Sequence, residues 1–380
     1  MNKKKIIEYT DRWTVGGIEA YIMNLIRTID RDIFDVSILV GQKETDLYDD
    51  EIESANCAFQ CLLDSVQANP IKRVLYTNQE LSKYLRENPQ DLIHLHICQG
   101  ASMRFAKSIK RENEKTKVIV HSHNSDFGAG NRIIKRIGHE IGRMYYNKYV
   151  DKRLACSNAA AKWLFTRKDM KNNRVTVLNL MINIVKFEFS KSVRDEMRNA
   201  YKISYDEDIY LNIGRMDYQK NQRFLLDIFR EIKELKGSSR LIIIGNGALR
   251  DELFLYAKKL KIFNSIIYIE RTDKVEQFMC MADFFVLPSL FEGNPIAGVE
   301  AQASGLPSFF SDAITEQARI IETTHFLSLD EGPDIWAKKI LNVSRNDDMR
   351  RKDSCTRVKQ KGYDMNRQVQ ELKQLYLDLM

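Results

Sequence analysis

Two carboxylates, Glu292 and Glu300, bracket the run Gly293-Asn294-Pro295-Ile296 and give the strongest chemical signal in the chain. Gly293 permits a sharp turn, and Pro295 suits the first turn of a helix that then carries Glu300. The start of such a helix presents unpaired amides and the positive end of its dipole, which together favour an anion. Carboxylates before and within the helix can accept hydrogen bonds from two different sets of hydroxyls. The plain alternative is a pair of solvated glutamates. Gly214-Arg215 and Lys220 follow an apolar run at 209–213 and supply two cations. Arginine offers a planar fork to phosphate oxygens and lysine a point charge, although most basic pairs sit on solvated loops. Gly16-Gly17 follows the first apolar run and opens a helical pattern, so the backbone there could approach an anion or simply turn tightly. Gly245-Asn246-Gly247 reads as a plain turn.

These groups need elements to hold them. Short β-branched runs at 4–8, 36–40, 92–96, 118–121, 152–156 and 175–178 alternate with helical patterns. The alternation restarts near residue 205, with runs at 209–213, 240–244, 265–269, 284–287 and 308–310. Strands alternating with helices build parallel sheets covered on both faces. Two successive sets predict two doubly wound α/β domains facing across a cleft, with ligands at the carboxyl ends of the strands. The expected division is 1–182 and 183–362, with a final helical segment 363–380 returning toward the first domain. The length of 380 residues fits two domains, and 44% hydrophobic residues can give each a core.

The charge of +7 suits an anionic ligand or surface without choosing between them. No apolar run is long enough to span a membrane. The charged N-terminus, Met1 to Lys5, is followed only by Ile6 and Ile7, which is no signal peptide. Six scattered cysteines lack a metal-site spacing and read as reduced, mostly buried thiols of a cytoplasmic protein.

The stretches Gly-Gly-Ile-Glu-Ala-Tyr-Ile-Met-Asn-Leu (16–25), His-Ser-His-Asn-Ser (121–125), Asn-Ile-Gly-Arg-Met-Asp-Tyr-Gln-Lys-Asn (212–221) and Leu-Pro-Ser-Leu-Phe-Glu-Gly-Asn-Pro (287–295) running into Glu300 resemble the retaining glycosyltransferases of family 4. Their fold is GT-B, two Rossmann-like domains across a cleft. Within the family the chain looks like the bacterial capsule and exopolysaccharide enzymes. The resemblance implies that Arg215 and Lys220 hold the donor diphosphate, with Gly214 beside them, and that Glu300 binds the ribose hydroxyls. Glu292 would contact the donor sugar, with Gly293, Asn294, Pro295 and Ile296 nearby, and Gly16 and Gly17 would line the cleft. His123 looks like the active-site histidine near the reacting sugar, with His121 as the competing choice. The junction Leu180-Met181-Ile182-Asn183 departs from the frequent Asn-Gly-Ile-Asp, Asn246 stands where Asp is usual, and Glu270 where Gly is frequent.

The resemblance further implies a UDP-sugar donor, a lipid-linked or oligosaccharide acceptor, and neither metal nor cofactor. Asp206-Glu207-Asp208 spells the metal motif of another transferase fold, but here it precedes a strand and reads as a solvated turn. Two further readings are a nucleotide-sugar epimerase of the same architecture and a non-catalytic nucleotide-sugar binding protein. No recognised nucleic-acid motif is present, so nucleic acid is not an expected partner.

Residues 131–153 carry a separate signal. Ile133, Ile134, Ile137, Ile141, Met144 and Tyr145 share one helical face, and Arg132, Lys135, Arg136, His139 and Arg143 share the other. Such a helix could lie on an anionic membrane surface, making the protein peripheral on the inner face of the cell membrane, or it could be an ordinary core helix with a solvated basic face.

Overall fold

The computed structural model describes residues 3–63, 70–127 and 132–380. Met1 and Asn2 of the charged N-terminus and Asn131 of the basic segment lie outside the described residues, as does the side chain of Arg132. The chain forms two compact units, Met1–Met181 with Met365–Met380, and Ile182–Asp364.

Seven parallel strands form the sheet of the first unit: β1 (Lys4–Trp13), β2 (Phe34–Lys43), β3 (Phe59–Cys61), β4 (Leu92–Ile97), β5 (Lys117–Ser122), β6 (Lys152–Ala155) and β7 (Val175–Val177), in the order β3-β2-β1-β4-β5-β6-β7. The second sheet has β8 (Asp208–Ile213), β9 (Ser239–Ile244), β10 (Ile266–Ile269), β11 (Phe284–Leu287), β12 (Ser308–Ser311) and β13 (Thr324–Leu327), in the order β10-β9-β8-β11-β12-β13. Each order reverses direction once, between β1 and β4 and between β8 and β11. That reversal is the topological switch point at which open α/β sheets leave a crevice beyond their strand ends. The central strands are buried on both faces, as a sheet covered by helices on both sides requires. Ile6, Ile7, Leu92, Ile93, Val118 and Ile119 are all fully buried.

The helix Met365–Leu379 belongs to the first unit and buries Val369, Leu372 and Tyr376 there. Lys373 pairs with Asp30 at 2.7 Å. In the second unit the carboxylate of Asp283 gathers Arg194 (2.5 Å) and Arg198 (3.2 Å) and accepts the amide of Ile209 (2.8 Å) at the start of the sheet.

Two expectations from the sequence are corrected. Asp206-Glu207-Asp208 is not a solvated turn throughout. Asp208 is buried at the first position of β8 and pairs with Lys236 and Arg345, while Glu207 pairs with Arg240 at 2.8 Å. The helix Arg132–Ile141 also differs from the expected division into an apolar and a basic face. His139 is buried, its Nδ1 accepting the amide of Gly100 (3.0 Å) and its Nε2 donating to the carbonyl of Trp163 (2.9 Å). Arg143 turns inward to the carbonyl of Phe165 at 2.5 Å. The chain just after the helix packs through a bare glycine: a Cβ on Gly142 would stand 1.8 Å from the carbonyl oxygen of Gly100. The isoleucines are therefore left outside, with Ile133 74% and Met144 74% exposed. All six cysteines are free, four of them buried.

Candidate active site

In the second unit, loops from the carboxyl ends of β8, β9 and β11 interlock through their backbones. The amide of Gly214 donates to Ile244 O (3.0 Å), that of Met216 to Asn246 O (3.0 Å), and that of Leu290 to Gln219 O (2.8 Å). Two glycines make this closeness possible. Gly245 has φ +135°, and a Cβ on it would meet the Gly214 oxygen at 2.2 Å. Gly214, at φ +156°, would press a Cβ to 2.7 Å from Cε of Lys220, so its bare Cα is the channel along which the lysine stem runs.

Lys220 closes the short turn Tyr218–Lys220, capped when its amide donates to Asp217 Oδ1 at 3.2 Å. Its Nζ lies 2.6 Å from Glu292 Oε1, and Glu292 Oε2 accepts from Gln219 Nε2 at 3.1 Å. The family resemblance assigned the lysine to a diphosphate and the glutamate to a sugar; the structure places them in contact. Arg215 remains largely open to solvent, 3.4 Å from Asp217, while its carbonyl is held by Gln222 (2.8 Å). Gly293 and Asn294 follow Glu292, and Asn294 donates to the Tyr363 hydroxyl at 3.1 Å. Pro295 sits at the N-cap of the helix Ile296–Ala303. It has no N–H, so the free amides begin at Ile296.

Glu300 stands on that helix and keeps part of its surface open. Burial nevertheless pushes its carboxyl up to about 8, with Lys186 opposing the rise and Glu276 adding to it. Lys186 and Glu276 were not singled out in the sequence. They pair at 3.2 Å, from the turn Ile184–Phe187 and the helix Val275–Met281. Arg215, Lys220, Glu292, the run from Gly293 to Ile296 and Glu300 thus gather in one unit around a helix start, a setting for a polyanion bearing hydroxyls.

Gly16, Gly17 and His123 lie in the first unit. Gly16 caps the helix Gly17–Thr28 with extended backbone. Glu19 folds back over this turn, its Oε1 accepting from the Thr14 amide (2.8 Å) and hydroxyl (2.9 Å). A Cβ on Gly16 would meet Glu19 Oε2 at 2.9 Å, so the first glycine makes room for a carboxylate of the protein itself.

The histidines hold what sequence reasoning missed. His94 and His96 lie on β4, and His121 and His123 lie on and just beyond β5. Strand register sets Glu8 beside His94 and His96 beside His121. Side chains alternate along a strand, so two His-x-His pairs on neighbouring strands share one face. That repeat was the available signal. Glu8 Oε2 lies 2.6 Å from His96 Nε2, and His96 Nδ1 lies 2.9 Å from His123 Nε2. Tyr376 donates to Glu8 Oε1 at 2.7 Å. Burial alone would raise the Glu8 carboxyl, but His94 and His96 outweigh it and hold it well below the usual range. Burial lowers His96 to about 4 and His123 well below the ordinary imidazole value. His121 is wholly enclosed, whereas His123 keeps part of its surface. One ring nitrogen each from His94, His96 and His121 lie within 4.8 Å of one another. Both nitrogens of His96 are already engaged by Glu8 and His123, so the trio is not read as a metal centre.

Residues 15–185 match the family model described as Glycosyltransferase Family 4, and residues 193–364 match that described as Glycosyl transferases group 1. A Bacillus subtilis (strain 168) protein named "Putative glycosyltransferase EpsF" is 27% identical over 377 residues, covering 99% of this chain and 97% of that protein. An Escherichia coli enzyme, UDP-Gal:alpha-D-GlcNAc-diphosphoundecaprenol alpha-1,3-galactosyltransferase, is 21% identical over 384 residues, 96% of this chain and 95% of its own. Among solved structures, Anabaena HepE in complex with UDP and glucose superposes with a TM-score of 0.77 at 13% identity, covering 98% of this chain and 99% of that one. With two Rossmann-like domains and both family models matched in order along its length, the chain is a glycosyltransferase and belongs to family 4 of the GT-B enzymes.

Proposed function

We propose that the protein transfers a sugar from a UDP-sugar, with retention at the anomeric carbon, to a lipid-linked saccharide in the assembly of a surface polysaccharide. The observation that carries this reading is the contact of Lys220 with Glu292 beside the start of the helix Ile296–Ala303, with Arg215 open to solvent and Glu300 on the same helix. A diphosphate there would meet two cations and a helix N-terminus, and Glu300 would take the ribose hydroxyls. When the bond from the anomeric carbon to the diphosphate oxygen breaks, its electron pair leaves with the phosphate. Arg215, Lys220 and the helix amides stabilise that growing negative charge. The acceptor hydroxyl bonds to the anomeric carbon on the same face and gives its proton to the departing phosphate oxygen. Glu292 orients the sugar, and His123, rather than the enclosed His121, hydrogen-bonds it.

The UDP donor is supported by what HepE binds, and the lipid-diphosphate acceptor by the name of the Escherichia coli relative. No described helix is long and apolar enough to cross a membrane. The exposed face of the helix Arg132–Ile141, continued by Met144 and Tyr145, fits docking on an anionic lipid surface.

The test is incubation with UDP-glucose, UDP-galactose and UDP-N-acetylglucosamine, with and without a polyprenyl-diphosphate saccharide. Acceptor-dependent release of UDP and an α-linked product support the reading. Conversion of the donor without acceptor would replace it with an epimerase, and an inverted linkage would remove the retaining mechanism.

A further inference from the structure

We infer that Glu8 and His96 are positioning residues that fix His123 in one tautomer, with the proton on Nε2 and the lone pair on Nδ1. The inference rests on the proposed place of His123 at the transferred sugar. The geometry that sets it lies within one unit.

The chain of contacts has one consistent proton assignment. Glu8 is fully buried and its carboxylate is surrounded by donors. The Tyr376 hydroxyl has a single hydrogen and gives it to Glu8 Oε1 at 2.7 Å. The tyrosine oxygen then accepts from His94 Nδ1, also at 2.7 Å. His94 Nδ1 stands 3.2 Å from Glu8 Oε2, which adds to the convergence on the carboxylate. An ionised carboxylate only accepts, so His96 must bring its proton to Nε2, which stands 2.6 Å from Glu8 Oε2. A neutral imidazole then has a lone pair on Nδ1. That nitrogen can only accept, and its partner at 2.9 Å is His123 Nε2. The proton of that contact therefore belongs to His123 Nε2, and His123 Nδ1 is left as an acceptor.

The surroundings keep the ring neutral. His96, His121 and Tyr21 crowd it, with ring centroids 5.0, 4.1 and 5.6 Å away. His94 completes the group, and Glu8 is the only carboxylate in the chain of contacts. Burial and the neighbouring imidazoles both disfavour a second proton on His123. A neutral ring with a lone pair on Nδ1 meets a hydroxyl and cannot pair with a phosphate oxygen. The device thus selects the hydroxyl-bearing part of the donor or acceptor. It also ties this choice to the helix Met365–Leu379 through Tyr376.

The direct test is a 15N–1H correlation spectrum of the histidine side chains of the full-length protein, with His96→Gln and His123→Gln supplying the assignments. The expected result is His123 and His96 neutral at pH 7, both protonated on Nε2. His123 protonated on Nδ1, or on both nitrogens, overturns the inference. The second arm is Glu8→Gln, whose amide can donate as well as accept and so no longer imposes one tautomer. It should give His123 a mixed or reversed tautomer, with kcat lowered about tenfold or more and KM for the donor within about twofold. A single Nε2–H tautomer with unchanged kcat in this variant also overturns the inference. If the tautomers are as expected but His123→Gln transfers sugar at the wild-type rate, the place of His123 at the sugar fails while the positioning network stands.

Discussion

At Glu300 the protein holds a carboxyl where its charge is disfavoured, about 8 against an unfolded value near 4.3. Between those values the native state binds more protons than the unfolded chain. The stability from this group is therefore complete below about pH 4.3 and is lost as pH rises through about 8. Glu300→Gln should raise the melting temperature of the unliganded protein at pH 8 by about 2–4 °C, the size of a roughly 1 kcal/mol gain in a domain of this length. The difference should vanish near pH 4.5, and differential scanning calorimetry across that range checks it. Ribose hydroxyls bind the carboxylate better than the acid, so wild-type nucleotide affinity should rise from pH 7 to 9 while that of the variant stays flat. Lys220→Ala should lower kcat on the order of 10²–10³-fold, as loss of a donor to a developing anion does. Removing the partner of the buried Glu292 should also cost about 1–3 kcal/mol, read from urea melts. The residues proposed to hold the donor were legible because glycine, cation and carboxylate stand at fixed spacings there. The partners of His123 were not, because Glu8, His96 and Tyr376 lie 115, 27 and 253 positions from it, by subtraction of their residue numbers. Only strand register and the packing of the last helix bring them together.

The helix Arg132–Ile141 shows what periodicity leaves open. Two faces were readable, but not which one packs. Gly142 has no side chain to enter a hydrophobic pattern, yet it sets the contact with Gly100. Gly142→Ala should cost about 1–3 kcal/mol through overpacking, visible as a lower melting temperature. Ile133→Ser with Ile137→Ser should leave the melting temperature unchanged, because both side chains already face solvent. In a sedimentation assay the double variant should lose most binding to vesicles containing phosphatidylglycerol at low salt. Equal binding by both proteins would remove this face as the docking surface. The strands β3 and β13 escaped detection for a related reason. Both lie at sheet edges, are three and four residues long, and are only partly buried.

Across the whole chain, repeated strand–helix alternation with a reset near residue 205 made the two parallel sheets readable, since strands covered on both faces are mostly apolar. Family resemblance and geometry then converge on one unit as the holder of a nucleotide diphosphate. Calorimetric titration of the purified protein with UDP and GDP, beside Glu300→Ala, tests that claim most directly. The account predicts that at pH 9, where Glu300 is ionised, UDP binds and the variant binds it about 10–150-fold more weakly, the equivalent of roughly 1.5–3 kcal/mol for hydrogen bonds to a charged group. Wild-type protein that ignores both nucleotides, or a variant that binds UDP as well as wild type, would contradict it.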